Sequence, residues 1–276
     1  MAAGPAALSL DALVAAIADG ASLAIPADYS GVPMAATRAL MRRGSKGLRL
    51  ITVPQAGLQA DLLIGAGMVA SIETAAVTLG ELGLAPAFTR WAQSGRLRVI
   101  DSTCPAIHAG LQAAEKGIPF MALRGLIGTD ILRHRPDWTL SQNPFAADDP
   151  IVLLPAIQPD VALFHASMAD LEGNVWIGRR RELATMAHAS RTTLVTVERR
   201  YEGSFFDDER LAAGTMPALY VDSIALARHG AWPVGLTDEY PADTEHLRAY
   251  AAEAASEAGF QAYLAREVFG RAAAAE

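Results

Sequence analysis

The chain has 276 residues, a formal net charge of -7, and 51% hydrophobic against 19% charged side chains. That balance argues against nucleic acid as a ligand. No apolar run reaches the length of a membrane span, and a lone cysteine, Cys104, excludes an internal disulfide and a multi-cysteine metal site. A cytoplasmic α/β protein fits best, with enough apolar surface for a large core and for part of a partner interface.

The Ala-rich start, MAAGPAALSLDALVAAIADG, has no basic leader and is interrupted by Asp11, which speaks against a secretory signal. Residues 9–19 carry Leu10, Leu13, Val14 and Ile17 on one helical face, with Ser9 as N-cap and Gly20 as the stop. Leu23, Ala24 and Ile25 form a short buried strand that ends at Pro26, and residues 33–43 read as a helix closing on Arg42-Arg43. "GLRLITVP" is the next strand and "ADLLIGAGM" a third. "FTRWAQSGRLRVID" gives a helix end, a glycine and a strand, and "AIHAGLQAAEKGIPF" a helix with a glycine stop. In the second half, "PIVLLPAIQPDVALFHA" holds two apolar runs, "RRRELATMAHAS" is helical and "RTTLVTVE" is a β-branched strand. From about residue 244 the chain is an Ala-rich amphipathic helix or helix pair. Repeated strand–helix alternation predicts an open, mostly parallel sheet with helices on both faces, as one domain over residues 1–276.

Open parallel sheets bind ligands at the carboxyl ends of their strands. The exits "PADYSGVP", "GAGMVASIET" and "DSTCPAIH" are rich in glycine and small hydroxyl side chains, which let backbone N–H groups approach an anion or a carbonyl closely. The candidate ligand residues are therefore Ser30, Gly31, Gly67, Ser71, Ser102 and Cys104. Nucleotide binding by a glycine fingerprint is unsupported, because "GAGMVAS" lacks a third glycine in register and no Walker Lys-Ser/Thr pair exists. No histidine spacing resembles a metal site, and His165 and His188 read as core or turn residues. Glu73 and Glu198, at strand ends, have the chemistry of a carboxylate nucleophile but also the placement of ordinary surface glutamates. Cys104 has a possible base in His108, four residues on, and equally reads as a small side chain at a helix start. The run "GRRRE", residues 178–182, is either a solvated helix start, a set of salt bridges to a partner, or a contact to a nucleotide phosphate; arginines there oppose the helix dipole, which points to an acidic partner or ligand.

Several segments together resemble a known family: "GLRLITVPQAGLQADLLIGAG", "DSTCPAIHAGLQAAEKGIPFMALRG", "GTDILRHRPDW", "DVALFHASMADLEGNVWIG" and "RRRELATMAHAS". They are similar to the α (A) subunit of family I coenzyme A transferases, of the glutaconate type, over roughly residues 10–270. The most specific stretch is His165, Ala169-Asp170, Gly173-Asn174 and Gly178, which the resemblance places in a strand–turn–strand element. It implies an open sheet of the CoA-transferase and sugar-phosphate-isomerase kind. It also implies a ping-pong reaction through an acyl–glutamyl anhydride and a glutamyl–CoA thioester. It further implies no permanently bound cofactor, with a CoA thioester as substrate and a carboxylic acid as the CoA acceptor.

In heteromeric members the nucleophilic glutamate belongs to the β (B) subunit, in a Glu-x-Gly context. Here the only Glu-Gly pairs are Glu172-Gly173, in a turn, and Glu202-Gly203, in a charged loop. The resemblance thus implies half an enzyme, active with a β partner and with no catalytic residue of its own. Two departures stand out. Pro26-Ala27-Asp28 replaces the family's Gly-Gly-Phe. In a steroid ring-opening hydrolase on the same scaffold, alignment through Gly110-Leu111 puts a glutamate where Cys104 stands, and Pro105-Ala106 replace Gly-Met. The alternatives are therefore one chain of a CoA-thioester hydrolase, or a non-catalytic binding or assembly subunit. A sugar-phosphate sensor would need a basic DNA-binding module, and the sequence has none.

Overall fold

The computed structural model of the protein describes residues 7–270. The first half runs β1 (Ala7–Leu8), α1 (Leu10–Ala15), β2 (Ser22–Pro26), α2 (Met34–Arg43), β3 (Leu48–Val53), α3 (Leu58–Gly65), β4 (Val69–Thr74), α4 (Pro86–Gln93), β5 (Arg98–Asp101) and α5 (Cys104–Glu115). A small insertion follows: β6 (Phe120–Leu123), α6 (Ile131–His134), β7 (Thr139–Gln142) and β8 (Pro150–Pro155). The second half is β9 (Val161–Ala169), β10 (Val175–Trp176), α7 (Arg181–Ala189), β11 (Thr192–Arg200), α8 (Glu209–Ala212), β12 (Thr215–Met216), β13 (Ser223–Leu226), α9 (Thr244–Glu253) and α10 (Glu257–Leu264).

The main sheet is ordered β1-β13-β11-β9-β2-β3-β4-β5, and every neighbouring pair on that path is parallel. Strand β10 pairs antiparallel with the last residues of β9, and β12 pairs antiparallel with β10. Its central strands are apolar along their length rather than alternating: all five residues of β2 and all nine of β9 are buried. This is the pattern of a sheet covered on both sides. On one face Leu23, Ile25, Leu163 and Leu194 pack under α1, α2, α3 and the C-terminal helices. On the other, Ala24, Ala162, Phe164 and Val195 pack under α5 and α7. Each fully buried large side chain there contributes roughly 1.5–3 kcal/mol of burial free energy. The open, mostly parallel sheet expected from strand–helix alternation is the architecture found.

Two local expectations are corrected. "ADLLIGAGM" is not a strand: its apolar part forms α3, all eight residues of which are buried. A helix enclosed on every side shows no amphipathic stripe, so a short apolar run cannot be told from a buried strand by periodicity. The insertion after α5 is a separate three-stranded antiparallel sheet, ordered β6-β8-β7, that alternation alone does not announce.

The stretch "HASMADLEGNVWIG" is a hairpin in which β9 turns into β10. Asp170 organises the turn: one carboxylate oxygen accepts the Glu172 and Asn174 N–H groups at 3.0 and 2.9 Å, and the other accepts the Asn174 amide at 2.8 Å.

Candidate active site

The chain order runs outward in both directions from the β2–β9 junction: β2 to β5 one way, β9 to β13 the other. Such a reversal opens a crevice at the carboxyl ends of the two strands. After β2 the chain turns back on itself, with the Ser30 N–H donating to the Ala27 carbonyl at 2.8 Å. Gly31 then meets β9: the His165 N–H donates to the Gly31 carbonyl at 2.7 Å. At φ +83° Gly31 lies in the left-handed region, and a Cβ there would collide with the His165 carbonyl oxygen, so only glycine closes this junction. Ser30 is fully buried and its hydroxyl donates to Glu182 in the first turn of α7.

Beneath this junction lies a buried polar network. His165, fully buried, places Nε2 at 2.7 Å from Glu198 and Nδ1 at 2.8 Å from the Thr196 hydroxyl. Glu198 also accepts the backbone N–H groups of His229 and Gly230, at 2.6 and 3.0 Å, and the Tyr240 hydroxyl at 2.5 Å. Burial works against ionisation of Glu198, but the hydrogen bonds from His165, Tyr240 and the His229 N–H outweigh it and hold the carboxyl at about 2. Tyr240 is correspondingly pushed up, first by burial and then by the Glu198 carboxylate. Three of these donors converge on Oε1 and one, the His229 N–H, on Oε2. The carboxylate anchors the segment carrying His229 and Tyr240 to the sheet.

Three cavities open around the β2 exit, and Tyr29 borders each of them. The largest, about 530 Å³, is lined by Ser30, Trp176, Arg180, Glu182 and Asp238 among others. A second, about 380 Å³, lies between α5 and α7 and brings His108, Gln112 and Thr185 to the same Glu182. Burial pushes the His108 imidazole down from its ordinary value, against the pull of the Glu182 charge. The third, about 270 Å³, has Asp28, Gln55 and Gly57 in its wall. Asp28 accepts the Leu58 N–H at the start of α3 at 3.1 Å, while its other oxygen is buried with no donor among the described residues. Burial pushes its carboxyl up to about 6, the Leu58 N–H opposes this, and the Asp61 charge adds to it.

Of the residues singled out in the sequence, Ser30 and Gly31 stand at this crevice. Gly67 and Ser71 stand at the other end of the sheet: Ser71 is level with Arg49, which is level with Ser22 at the start of β2, and Gly67 precedes β4 altogether. Ser102 and Cys104 follow the edge strand β5. Ser102 is buried; Cys104 is exposed at the first position of α5 and lines none of these three cavities. His108, one turn further along α5, does reach the crevice. Glu73 is committed elsewhere, with Arg135 Nη1 2.8 Å away; burial raises its carboxyl and the arginine opposes this. Glu182, Arg180 and Asp28 belong to the crevice, and none of them is among the six candidate ligand residues. The only signals for them are the arginine-rich start of α7 and the Pro26-Ala27-Asp28 departure. Among the described residues no group of histidine, cysteine and carboxylate side chains has the makings of a metal site, and no helix is long and apolar enough to cross a membrane.

Comparison with known proteins gives the site its context. The family model described as coenzyme A transferase matches residues 7–227. The chain is 27% identical to the α (A) subunit of glutaconate CoA-transferase from Acidaminococcus fermentans, over 86% of this chain and 79% of that one. The crystal structure of the Acidaminococcus enzyme superposes with a TM-score of 0.87 at 25% identity, covering 96% of this chain and 89% of the other. The cholesterol ring-cleaving hydrolase IpdA subunit of Rhodococcus jostii is 27% identical over 95% of this chain and 92% of its own. A variant of the decarboxylase AibA/AibB superposes with a TM-score of 0.81 at 30% identity, covering 96% of this chain and 100% of that one. An uncharacterised protein of Archaeoglobus fulgidus is 30% identical over 84% of the chain, which spans about half, 52%, of that relative's length. With the fold, the crevice at the β2–β9 junction and a family match over most of its length, the chain belongs to the coenzyme A transferase family, on the side of the α (A) chains.

Proposed function

We propose that this chain is the α (A) subunit of a heteromeric CoA transferase that moves CoA from an acyl-CoA to a small or dicarboxylic acid, with the nucleophilic glutamate supplied by a β subunit. That carboxylate attacks the thioester carbonyl and expels CoA thiolate, leaving an acyl–glutamyl anhydride. The thiolate attacks the glutamyl carbonyl and releases the first acid, giving a glutamyl–CoA thioester. The acceptor carboxylate then repeats the two steps in reverse and leaves as its CoA ester.

One observation carries the reading. Glu198, the strand-end glutamate next to the crevice, accepts His165, Tyr240 and the Gly230 N–H on Oε1 and the His229 N–H on Oε2, contacts that fix it to the sheet and lower its nucleophilicity toward a thioester. Glu73 is held by Arg135. Glu182 receives the Ser30 hydroxyl and shares its cavity with Arg180. The crevice of this chain is built to bind and to orient, and it lacks a disengaged nucleophile of the Glu-x-Gly type. The test is exchange of label between an acyl-CoA and a free carboxylic acid. The chain with its β subunit should exchange label, and the chain alone should not. Transfer by the purified single chain would overturn the proposal.

A second reading is supported by coverage. The relatives matched most completely, to 100% and 92% of their length, are named a decarboxylase and one chain of a ring-cleaving hydrolase. A lyase or hydrolase on this scaffold would consume an acyl-CoA with no acceptor acid present, whereas a transferase would stall. Product formation in the absence of acceptor separates the two.

A further inference from the structure

The insertion after α5 keeps an apolar face open to solvent. One side of the β6-β8-β7 sheet packs on Ala106 and Ala109 of α5 through Met121, Leu123, Val152 and Leu154. Side chains alternate along a strand, so Phe120, Ala122, Ile151 and Leu153 lie on the other side. An antiparallel sheet with one buried face is normally polar on the other. Here those four side chains line a groove of about 570 Å³, and Phe120 is 47% exposed.

Phe145 stands at the rim of that groove, in the loop between β7 and β8. At 94% it is the most exposed large hydrophobic side chain among the described residues. The loop is fixed. The Phe145 N–H donates to the Asn143 side-chain oxygen at 3.0 Å, and the Asn143 N–H donates to the Asp149 carbonyl at 3.0 Å. The Asn143 amide donates to the Asp149 carboxylate at 2.5 Å, and Arg124 donates to it twice, at 2.7 and 2.6 Å. An aromatic ring held out by a rigid loop has the properties of an interface anchor, because little freedom remains to be lost on contact.

We propose that this face is an interface between two copies of the chain, each Phe145 seated in the groove of the other. Knob and groove lie side by side on one surface, so a two-fold axis through it satisfies both at once. A different partner would need its own aromatic knob and its own apolar hollow at matching positions. Charge points the same way. Two copies of a chain with net charge -7 repel at long range, but this rim carries both signs. Arg124, its side chain 67% exposed, lines the groove that receives the incoming loop, and that loop carries the exposed Asp148 three residues after Phe145. None of the groove residues lines the cavities at the β2 exit, so substitutions here stay clear of the crevice.

The experiment counts copies of this chain per particle by sedimentation velocity and native mass spectrometry. The samples are the full chain alone and with its β subunit, as wild type, Phe145→Ser and Leu153→Arg. Wild type should hold two copies. Phe145→Ser removes both knobs of a pair and should weaken self-association by more than about 30-fold; Leu153→Arg, which puts a charge in both grooves, should do the same. Mixing the two variants restores one knob to one intact groove, so the mixture should pair more tightly than either variant alone. A single copy per wild-type particle, undiminished pairing of Phe145→Ser, or no gain on mixing overturns the proposal. Loss of the β subunit from either variant with the copy number of this chain unchanged also overturns it, and assigns the face to the other subunit.

Discussion

Gly31 adds a backbone hydrogen bond to β9 beyond the β2–β9 ladder, and it has no room for a methyl group. Gly20, by contrast, has a similar φ of +75° with nothing near its would-be side chain. Gly31→Ala should therefore cost about 3 kcal/mol in urea unfolding, from the left-handed backbone and the collision together, and Gly20→Ala only about 1 kcal/mol. Equal costs would show that the His165 carbonyl gives way. Asp28 leaves a signature in pH. Its carboxyl is at about 6 in the fold, raised from 3.8, so the folded state binds the extra proton in that window. More protons bound in the folded state means stability falls as pH rises from about 4 to about 6, by about 2 kcal/mol, and is nearly flat beyond about 7. Asp28→Asn cannot ionise and keeps an oxygen for the Leu58 N–H. It should match wild type near pH 4 and exceed it by about 2 kcal/mol at pH 8. A wild type more stable than the variant at pH 8 would contradict the buried, half-satisfied carboxyl.

Among the elements, α3 shows why parts of the chain are legible in the sequence and others not. Alternation of β-branched runs and amphipathic helices is enough for α1, α2, α5 and the central strands, because each shows one face to solvent or none at strand length. Helix α3 is enclosed by α2, α4 and the C-terminal helices and so reads as a strand. That one misreading reverses the local chain direction. It makes Gly67 and Ser71 look like a strand exit, although they lie at a strand entrance. Ser30 and Gly31 are legible because a strand, a proline and a turn-forming glycine stand together in ten residues. For Glu182 and Arg180 the sequence offers only the charged run at the start of α7, because the link to Ser30 spans some 150 residues and depends on how α7 docks. What holds α3 in place is also nonlocal: Asp61, fully buried, accepts the Phe88 N–H at 2.6 Å and the Tyr250 hydroxyl of α9 at 2.5 Å. Tyr250→Phe should cost about 1–3 kcal/mol, since one carboxylate oxygen loses its donor where water cannot replace it. Thermal unfolding of the variant checks this, and an unchanged midpoint would mean that the C-terminal helices dock by apolar packing alone.

At the scale of the molecule, a sheet reversal creates a crevice, glycine closes it against β9, and a hydrogen-bonded glutamate, Glu198, braces it from below. The crevice carries recognition groups but no glutamate with both oxygens disengaged. The fold class and the family are readable from the sequence because both rest on long apolar runs and a spaced turn motif. The proposed division of labour between subunits rests on which carboxylates the folded chain has already engaged. The central claim is that the covalent intermediate forms on the other subunit. Borohydride reduces a glutamyl–CoA thioester to the alcohol and leaves free carboxylates untouched, so peptide mass mapping of the assembled enzyme, treated with acyl-CoA and then borohydride, locates the nucleophile. One reduced glutamate on the β subunit, with Glu73, Glu182 and Glu198 all intact, is the predicted result. A reduced Glu182 on this chain would contradict it and move the chemistry to the Ser30 side of the crevice.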